Sequence, residues 1–179
     1  QAEGGTIFLD EVDRIPPETQ VRLLRFLKHS DIQPIGSPNS FQLDVRVIAA
    51  TNRTLQREVE KDNFREDLYY QMNVVQLTIP PLRDRTGDIP ALARHFLARL
   101  ALQPGLRSLG ITDEALNLLR SYRWPGNVRQ LQSVLFRAAV MCDHNALSCD
   151  EFPQIASFVA ESGDAEPHLR QQRRVYPVY

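Results

Sequence analysis

The chain has 179 residues, 42% hydrophobic and 24% charged, with a formal net charge of −1; that is ordinary soluble globular composition, enough for one domain with a real core or one and a half smaller ones. The charge balance gives no hint of a nucleic-acid-binding domain, no apolar run is long enough to span a membrane, and the start is not a signal peptide. Cys142 and Cys149 lie outside any metal or redox spacing, which points to a reduced, cytoplasmic setting, and the histidines at positions 29, 95, 144 and 168 are scattered.

Thr6-Ile7-Phe8-Leu9 is an almost wholly apolar run that stops at two carboxylates, Asp10 and Glu11. It reads as a strand buried on both faces of a parallel sheet. In such sheets the ligand crevice lies beyond the carboxyl ends of the strands. Asp10 there can offer magnesium the hard oxygen it requires, and Glu11 can orient or deprotonate a water. The pair alone is equally compatible with a charged loop that merely ends a strand. Pro16-Pro17 then opens a helix with Val21, Leu24 and Leu27, flanked by Leu23 and Phe26, as its buried stripe. Lys28 and His29 suit its negative pole. Ser30 to Asn39 reads as loop. A second buried strand spans Val45 to Ala50 and ends in Thr51-Asn52-Arg53. Joined through a helix, the two strands make a parallel βαβ unit, which brings Asn52 to the same edge as Asp10 and Glu11.

A polar helix is expected at about Leu55 to Lys61, then a short amphipathic one using Phe64, Leu68 and Met72, with Arg65 on a different face. Val74 to Ile79 is a third strand candidate, closed by Pro80-Pro81. Beyond Arg85 the pattern is purely helical. Asp88 is expected to cap a helix burying Leu92, Phe96, Leu97 and Leu100, and Thr112 one with Leu116, Leu119 and Tyr122 inward. After the Trp124-Pro125-Gly126 turn, Asn127 is expected to cap a third helix, with Gln130 completing a capping box and Val128, Leu131, Leu135 and Ala139 buried. Arg129 in its first turn opposes the helix dipole, so an anion held by the amides and the guanidinium would explain it; an ordinary surface arginine is the plain alternative. From Glu161 onward, with Arg170, Arg173 and Arg174 near the end, a linker or tail is expected.

Five motifs occur in order: Gly-Gly-Thr-Ile-Phe-Leu-Asp-Glu, Ala-Ala-Thr-Asn-Arg, Phe-Arg-Glu-Asp-Leu-Tyr-Tyr, Pro-Pro-Leu-Arg-Asp-Arg with Asp-Ile-Pro, and Trp-Pro-Gly-Asn-Val-Arg-Gln-Leu. From Gly4 to about Ala146 the chain resembles the C-terminal half of the AAA+ ATPase domain of bacterial enhancer-binding proteins, the sigma-54-dependent transcription activators. The resemblance implies an α/β fold: part of a three-layer parallel sheet of P-loop NTPase type over residues 1–82, a small all-helical lid over 83–160, and a linker or tail over 161–179. It implies Asp10 and Glu11 as the Walker B pair, for magnesium and for water, and Asn52 as sensor I. Arg65 matches the arginine finger that completes the neighbouring subunit's site in a homo-oligomeric ring, commonly a hexamer. Arg129 matches sensor II, its anion being an ATP phosphate. The implied partner is the sigma-54 RNA polymerase holoenzyme, with enhancer DNA bound through a domain outside these residues.

Three departures stand beside it. These residues contain no Gly-rich Walker A loop and no Gly-Ala-Phe-Thr-Gly-Ala loop, which suggests a chain truncated at its amino end that binds ATP weakly by itself. No helix-turn-helix follows the lid. Gln71 stands where the family often has a second arginine. Two other readings are therefore weighed: another ring-forming AAA+ motor, and a hydrolysis-impaired regulatory module.

Overall fold

The computed structural model describes residues 2–32 and 39–163. Two compact units divide between Thr78 and Ile79. The first contains β1 (Thr6–Leu9), α1 (Pro17–His29), β2 (Asp31–Ile32), β3 (Phe41–Gln42), β4 (Arg46–Ala49), α2 (Leu55–Glu60) and α3 (Glu66–Met72). Strands β1 and β4 pair in parallel, with Thr6 opposite Arg46 and Leu9 opposite Ala49. Helix α1 opens on the proline pair, ends with Lys28 and His29 in its last turn, and is closed by Ser30 in the left-handed region (φ 55°). Its buried side meets Phe64 and Leu68 around a small core with Val12 and Leu24.

Several expectations for this unit change. Phe8 and Ile48 are exposed, so the β1–β4 pair is not buried on both faces. Val74 to Ile79 forms no strand, and Val74, Val75, Leu77 and Ile79 all lie largely in solvent. The physical reason is that a strand exists only with a ladder partner for its N–H and C=O groups, and none of the described residues supplies one. Val21 is exposed, and its place on the buried side of α1 goes to Gln20, which is 1% exposed. Gln20 can replace an apolar residue there because all its polar capacity is used, as described below. Within the loop expected over Ser30 to Asn39, Asp31–Ile32 forms β2, which pairs antiparallel with β3 just past its end, and residues 33–38 lie outside the described residues.

The second unit contains α4 (Ile89–Leu100), β5 (Gly110–Ile111), α5 (Asp113–Ser121), α6 (Asn127–Met141), β6 (Ala146–Leu147) and α7 (Pro153–Gly163). Leu82, Ile89, Leu97, Leu119, Leu131, Leu135 and Leu147 converge with Trp124 and Phe152 in one core. Leu82 thus belongs to this unit. The unit is not purely helical, because β5 and β6 pair in a two-residue parallel ladder that staples the segment before α5 to the segment after α6. Helix α7 continues through Glu161 to Gly163, where a linker was expected. The basic cluster of Arg170, Arg173 and Arg174 lies outside the described residues.

Thr112 caps α5 as expected, its hydroxyl accepting the Ala115 N–H at 3.2 Å. Asp88 occupies the cap position of α4 without capping it; its carboxylate pairs with Arg85 at 3.4 Å instead. Asn127 does not cap α6 either. It is the first helical residue, at φ 50°, and its side-chain oxygen accepts the Leu82 N–H at 2.9 Å. Gly126 holds the cap position, and its N–H is taken by the Gln130 side chain at 2.9 Å. A Cβ at Gly126 would meet Gln130 Cβ at 2.8 Å, so only glycine allows that approach.

Trp124, the single tryptophan, is fully buried at φ 49°, and its indole N–H donates to the Leu119 carbonyl at 2.7 Å. Trp124→Phe keeps most of the apolar contact but leaves that carbonyl unpaired, so the second unit should lose about 1–3 kcal/mol. Urea unfolding followed by far-UV circular dichroism checks this.

Candidate functional site

The register of β1 against β4 brings two strand ends out together. Ala50 N–H donates to the Leu9 carbonyl at 2.8 Å, and Val12 N–H to the Ala50 carbonyl at 3.0 Å. Asp10 and Glu11 leave β1 beside Thr51, Asn52 and Arg53 leaving β4, as the motif order implies. Asp10 is exposed, and its Oδ1 accepts the Glu11 N–H at 2.9 Å. Glu11 sits in the left-handed region (φ 50°, ψ 45°). For a residue with a Cβ that costs about 1–2 kcal/mol, and such strain collects where a side chain must be aimed. The Glu11 carboxylate meets Arg14 at 3.1 Å, but both side chains are about half exposed, so this pair is easily opened. The Asn52 side chain is exposed and makes no hydrogen bond among the described residues.

Beneath this edge lies a polar network that the motifs did not single out. Asp13, in the turn after Glu11, is buried and accepts the Thr51 hydroxyl at 2.6 Å. Arg53 reaches Asp13 at 3.4 Å and Glu58 at 3.5 Å, so its guanidinium lies between two buried carboxylates. Glu58 also accepts from Asn63 at 3.1 Å and from Lys61 at 3.5 Å. The hydrogen bond from Asn63, aided by the nearby Lys61 and Arg53 charges, holds the Glu58 carboxyl below its ordinary value despite burial. The available sequence signal was a carboxylate in the turn after one strand and a hydroxyl at the end of its neighbour.

Arg65 is placed from α1. The Gln20 amide donates to the Ile15 carbonyl at 3.1 Å and the Asn63 carbonyl at 3.0 Å, and its oxygen accepts the Arg65 N–H at 2.9 Å. The Arg65 side chain forms a two-point fork on Asp67, at 3.0 and 2.7 Å. That hydrogen bond lowers the Asp67 carboxyl from its usual range and raises the Arg65 guanidinium. Arg65 precedes α3 and borders an open cleft with Pro17, Gln56, Asn63, Tyr69 and Tyr70. Gln71 on α3 faces its own chain, its amide 3.5 Å from the Leu27 carbonyl.

Arg129 belongs to the second unit. It is exposed in the first turn of α6, and its guanidinium has no ion pair or hydrogen bond among the described residues. Each unit by itself offers chemistry of a fitting kind: among the described residues, one Asp10 oxygen takes no hydrogen bond and is the hard ligand magnesium takes, and the Arg129 guanidinium at a helix start is the kind of cation that meets an anion. No cluster of three or more His, Cys, Asp or Glu among the described residues could hold a metal by itself.

A parallel strand pair ending in carboxylates and, in a separate unit, a mainly helical bundle make a mixed α/β architecture. Residues 1–78 match the Sigma-54 interaction domain family and residues 83–168 the AAA+ ATPase lid domain family. The chain belongs to the AAA+ domain family of the sigma-54-dependent activators. It is 45% identical over 184 residues to the Nif-specific regulatory protein of Azotobacter vinelandii, covering 98% of this chain and 35% of that protein. It is 44% identical over 179 residues to the transcriptional regulatory protein ZraR of Escherichia coli (strain K12), covering 98% of this chain and 41% of that one. The solved structure of NtrX from Brucella abortus in complex with ATP is similar with a TM-score of 0.76 at 33% identity, over 97% of this chain and 39% of NtrX. The chain therefore spans little more than a third of the length of these relatives.

The depressed Glu58 and Asp67 carboxyls make acid stability testable. A carboxyl lowered by folding contributes fully above its unfolded value, about 4.5 for glutamate, and loses that contribution as pH falls through the lower folded value. Thermal melts should therefore weaken on acidification below the ordinary carboxylate range. Glu58→Gln should flatten that dependence.

Proposed function

We propose that this chain supplies the hydrolytic half of an ATP-driven activator that remodels the sigma-54 RNA polymerase holoenzyme, working in the cytoplasm as a homo-oligomeric ring. Enhancer DNA would be engaged by a domain outside these residues. The observation that carries the reading is the Leu9–Ala49 register, which sets Asp10, Glu11 and Asn52 at one sheet edge. The relatives' family supports the general kind of protein.

In this reading Asp10 holds magnesium with the nucleotide, and the ion would neutralise charge developing on the phosphates. Glu11 orients and deprotonates the attacking water. Asn52, with no side-chain hydrogen bond among the described residues, reads the terminal phosphate, and Arg129 binds phosphate through its guanidinium. Arg65 leaves Asp67 to complete a neighbour's site in trans. These residues alone include no phosphate-cradling glycine loop, so by themselves they bind ATP weakly. A second reading, a ring component with impaired hydrolysis, draws on Gln71: its uncharged amide faces Leu27 of its own chain and cannot substitute for a guanidinium.

In the intact protein, Glu11→Gln should keep nucleotide binding and cut hydrolysis about 100-fold or more. Normal turnover in that variant would remove Glu11 from the role. Arg65→Ala should lose about 1,000-fold in rate and regain activity when mixed with Glu11→Gln subunits, where intact halves meet. Mixed rings with no recovery would show that Arg65 does not act in trans. Gln71→Arg should raise turnover; an assembled protein with unchanged turnover would remove Gln71 as the limiting feature.

A further inference from the structure

Asp13 is the feature that the roles above leave unexplained. Its side chain is completely buried, and its Oδ2 has no hydrogen-bond partner among the described residues, only the Arg53 guanidinium at 3.4 Å. Burying a carboxylate is costly, and an apolar residue would fill the same space without that cost. What the charge accomplishes is visible in its contacts. Oδ1 accepts the Thr51 hydroxyl at 2.6 Å, at the short end of the range for such bonds. The same Thr51 oxygen accepts the Arg53 N–H at 3.0 Å, which closes a tight hydroxyl-bridged turn around the intervening residue, Asn52. Asp13 thus holds the residue before Asn52 by its hydroxyl and the residue after it by its guanidinium.

The other end of the link is Glu11. Glu11 occupies the cap position of the 3-10 turn Val12–Arg14 that contains Asp13, and the Arg14 N–H returns to the Glu11 carbonyl at 2.9 Å. Glu58 backs the arrangement from α2 by holding the far side of Arg53 at 3.5 Å.

We propose that Asp13 is a positioning residue, acting through Thr51 and Arg53, that locks the Asn52 turn to the Glu11 turn so that the phosphate-reading amide and the water-activating carboxylate keep one fixed separation. This rests on the function proposed above. The main-chain ladder sets the strand ends, but beyond Ala50 and Val12 the two turns leave the ladder. The Asp13 contacts are what join them there.

The test uses the intact protein, with steady-state hydrolysis, nucleotide affinity and melting measured together. Thr51→Val removes the bridging hydroxyl at nearly constant shape, Thr51→Ser restores it, and Asp13→Ala removes the carboxylate. Thr51→Val and Asp13→Ala should each lower kcat about ten- to a hundredfold, the scale of a slightly misplaced catalytic group. ATP affinity should change little, and Thr51→Ser should turn over like the parent. The double variant should lose no more than the worse single one, because both act through the same contact. Should Asp13→Ala fail to fold, the Thr51 pair decides the outcome. Unchanged kcat in Thr51→Val, or losses that multiply in the double variant, overturns the proposal. Glu11→Gln run in parallel separates the two levels. If it abolishes hydrolysis while Thr51→Val does not alter kcat, the coupling is wrong and the hydrolytic reading stands; if it turns over normally, both fall.

Discussion

The first unit depends on the pairing of Leu9 with Ala49. Two four-residue strands lie side by side in parallel, and their hydrogen bonds continue one step beyond the ladder at each exit, through Ala50 and Val12. A slip of one residue would send every side chain on a strand to the opposite face and carry Asn52 away from Asp10 and Glu11. The pair is short and its faces are partly exposed, with Phe8 and Ile48 in solvent, so burial alone pins the register weakly. Polar contacts carry much of the specification. The Asp13–Thr51 bond joins the same two exits by side chains, and Arg53 extends it to Glu58 on α2.

The same device recurs in α1. Gln20 lies where the helical stripe calls for an apolar residue, and it is as buried as Val12 of that core. Its two donors and one acceptor meet three main-chain groups at Ile15, Asn63 and Arg65, so the burial leaves nothing unpaired. An apolar side chain would fill the space but would strand those groups, a loss of about 1–3 kcal/mol for each left unsatisfied. The main chain at Arg65 is therefore held from a different helix. Its side chain remains about half exposed on Asp67, in a pair that stabilises little and can be exchanged for another anion. A held main chain with a detachable guanidinium is what the role proposed for Arg65 requires.

The second unit is held by apolar packing around Trp124, with polar groups acting as stitches. The Asn127 side chain reaches Leu82, Gln130 returns to Gly126, and the β5–β6 ladder ties the segment before α5 to the segment after α6. Each joins positions far apart or at a helix start, where main-chain groups would otherwise be left unpaired. Arg129 is left free of such duties at the start of α6. Among the described residues that guanidinium has no partner, which is what the phosphate-binding role proposed for it requires.

By itself the sequence determined the class of fold, the helices from α1 to α6 and the family, but not α7. Those features rest on local information: apolar spacing at the helical period, prolines at helix starts, Thr112 before its helix, and five short motifs in a fixed order. It also placed Asp10, Glu11 and Asn52 at one edge, because two apolar runs joined through a helix leave few topologies. Only the tertiary structure decided which polar side chains were buried and which partners they took. Val74 to Ile79 has a strand's composition but no neighbour to pair with, and a strand is defined by that neighbour. Asn127 has a capping residue's chemistry but finds the Leu82 N–H, which is distant in sequence. Gln20 and Asp13 read as surface residues by type, yet both are buried because long-range partners satisfy or balance their polar atoms. Propensity and periodicity act over a few neighbouring residues, whereas these choices depend on groups 38 to 45 residues away.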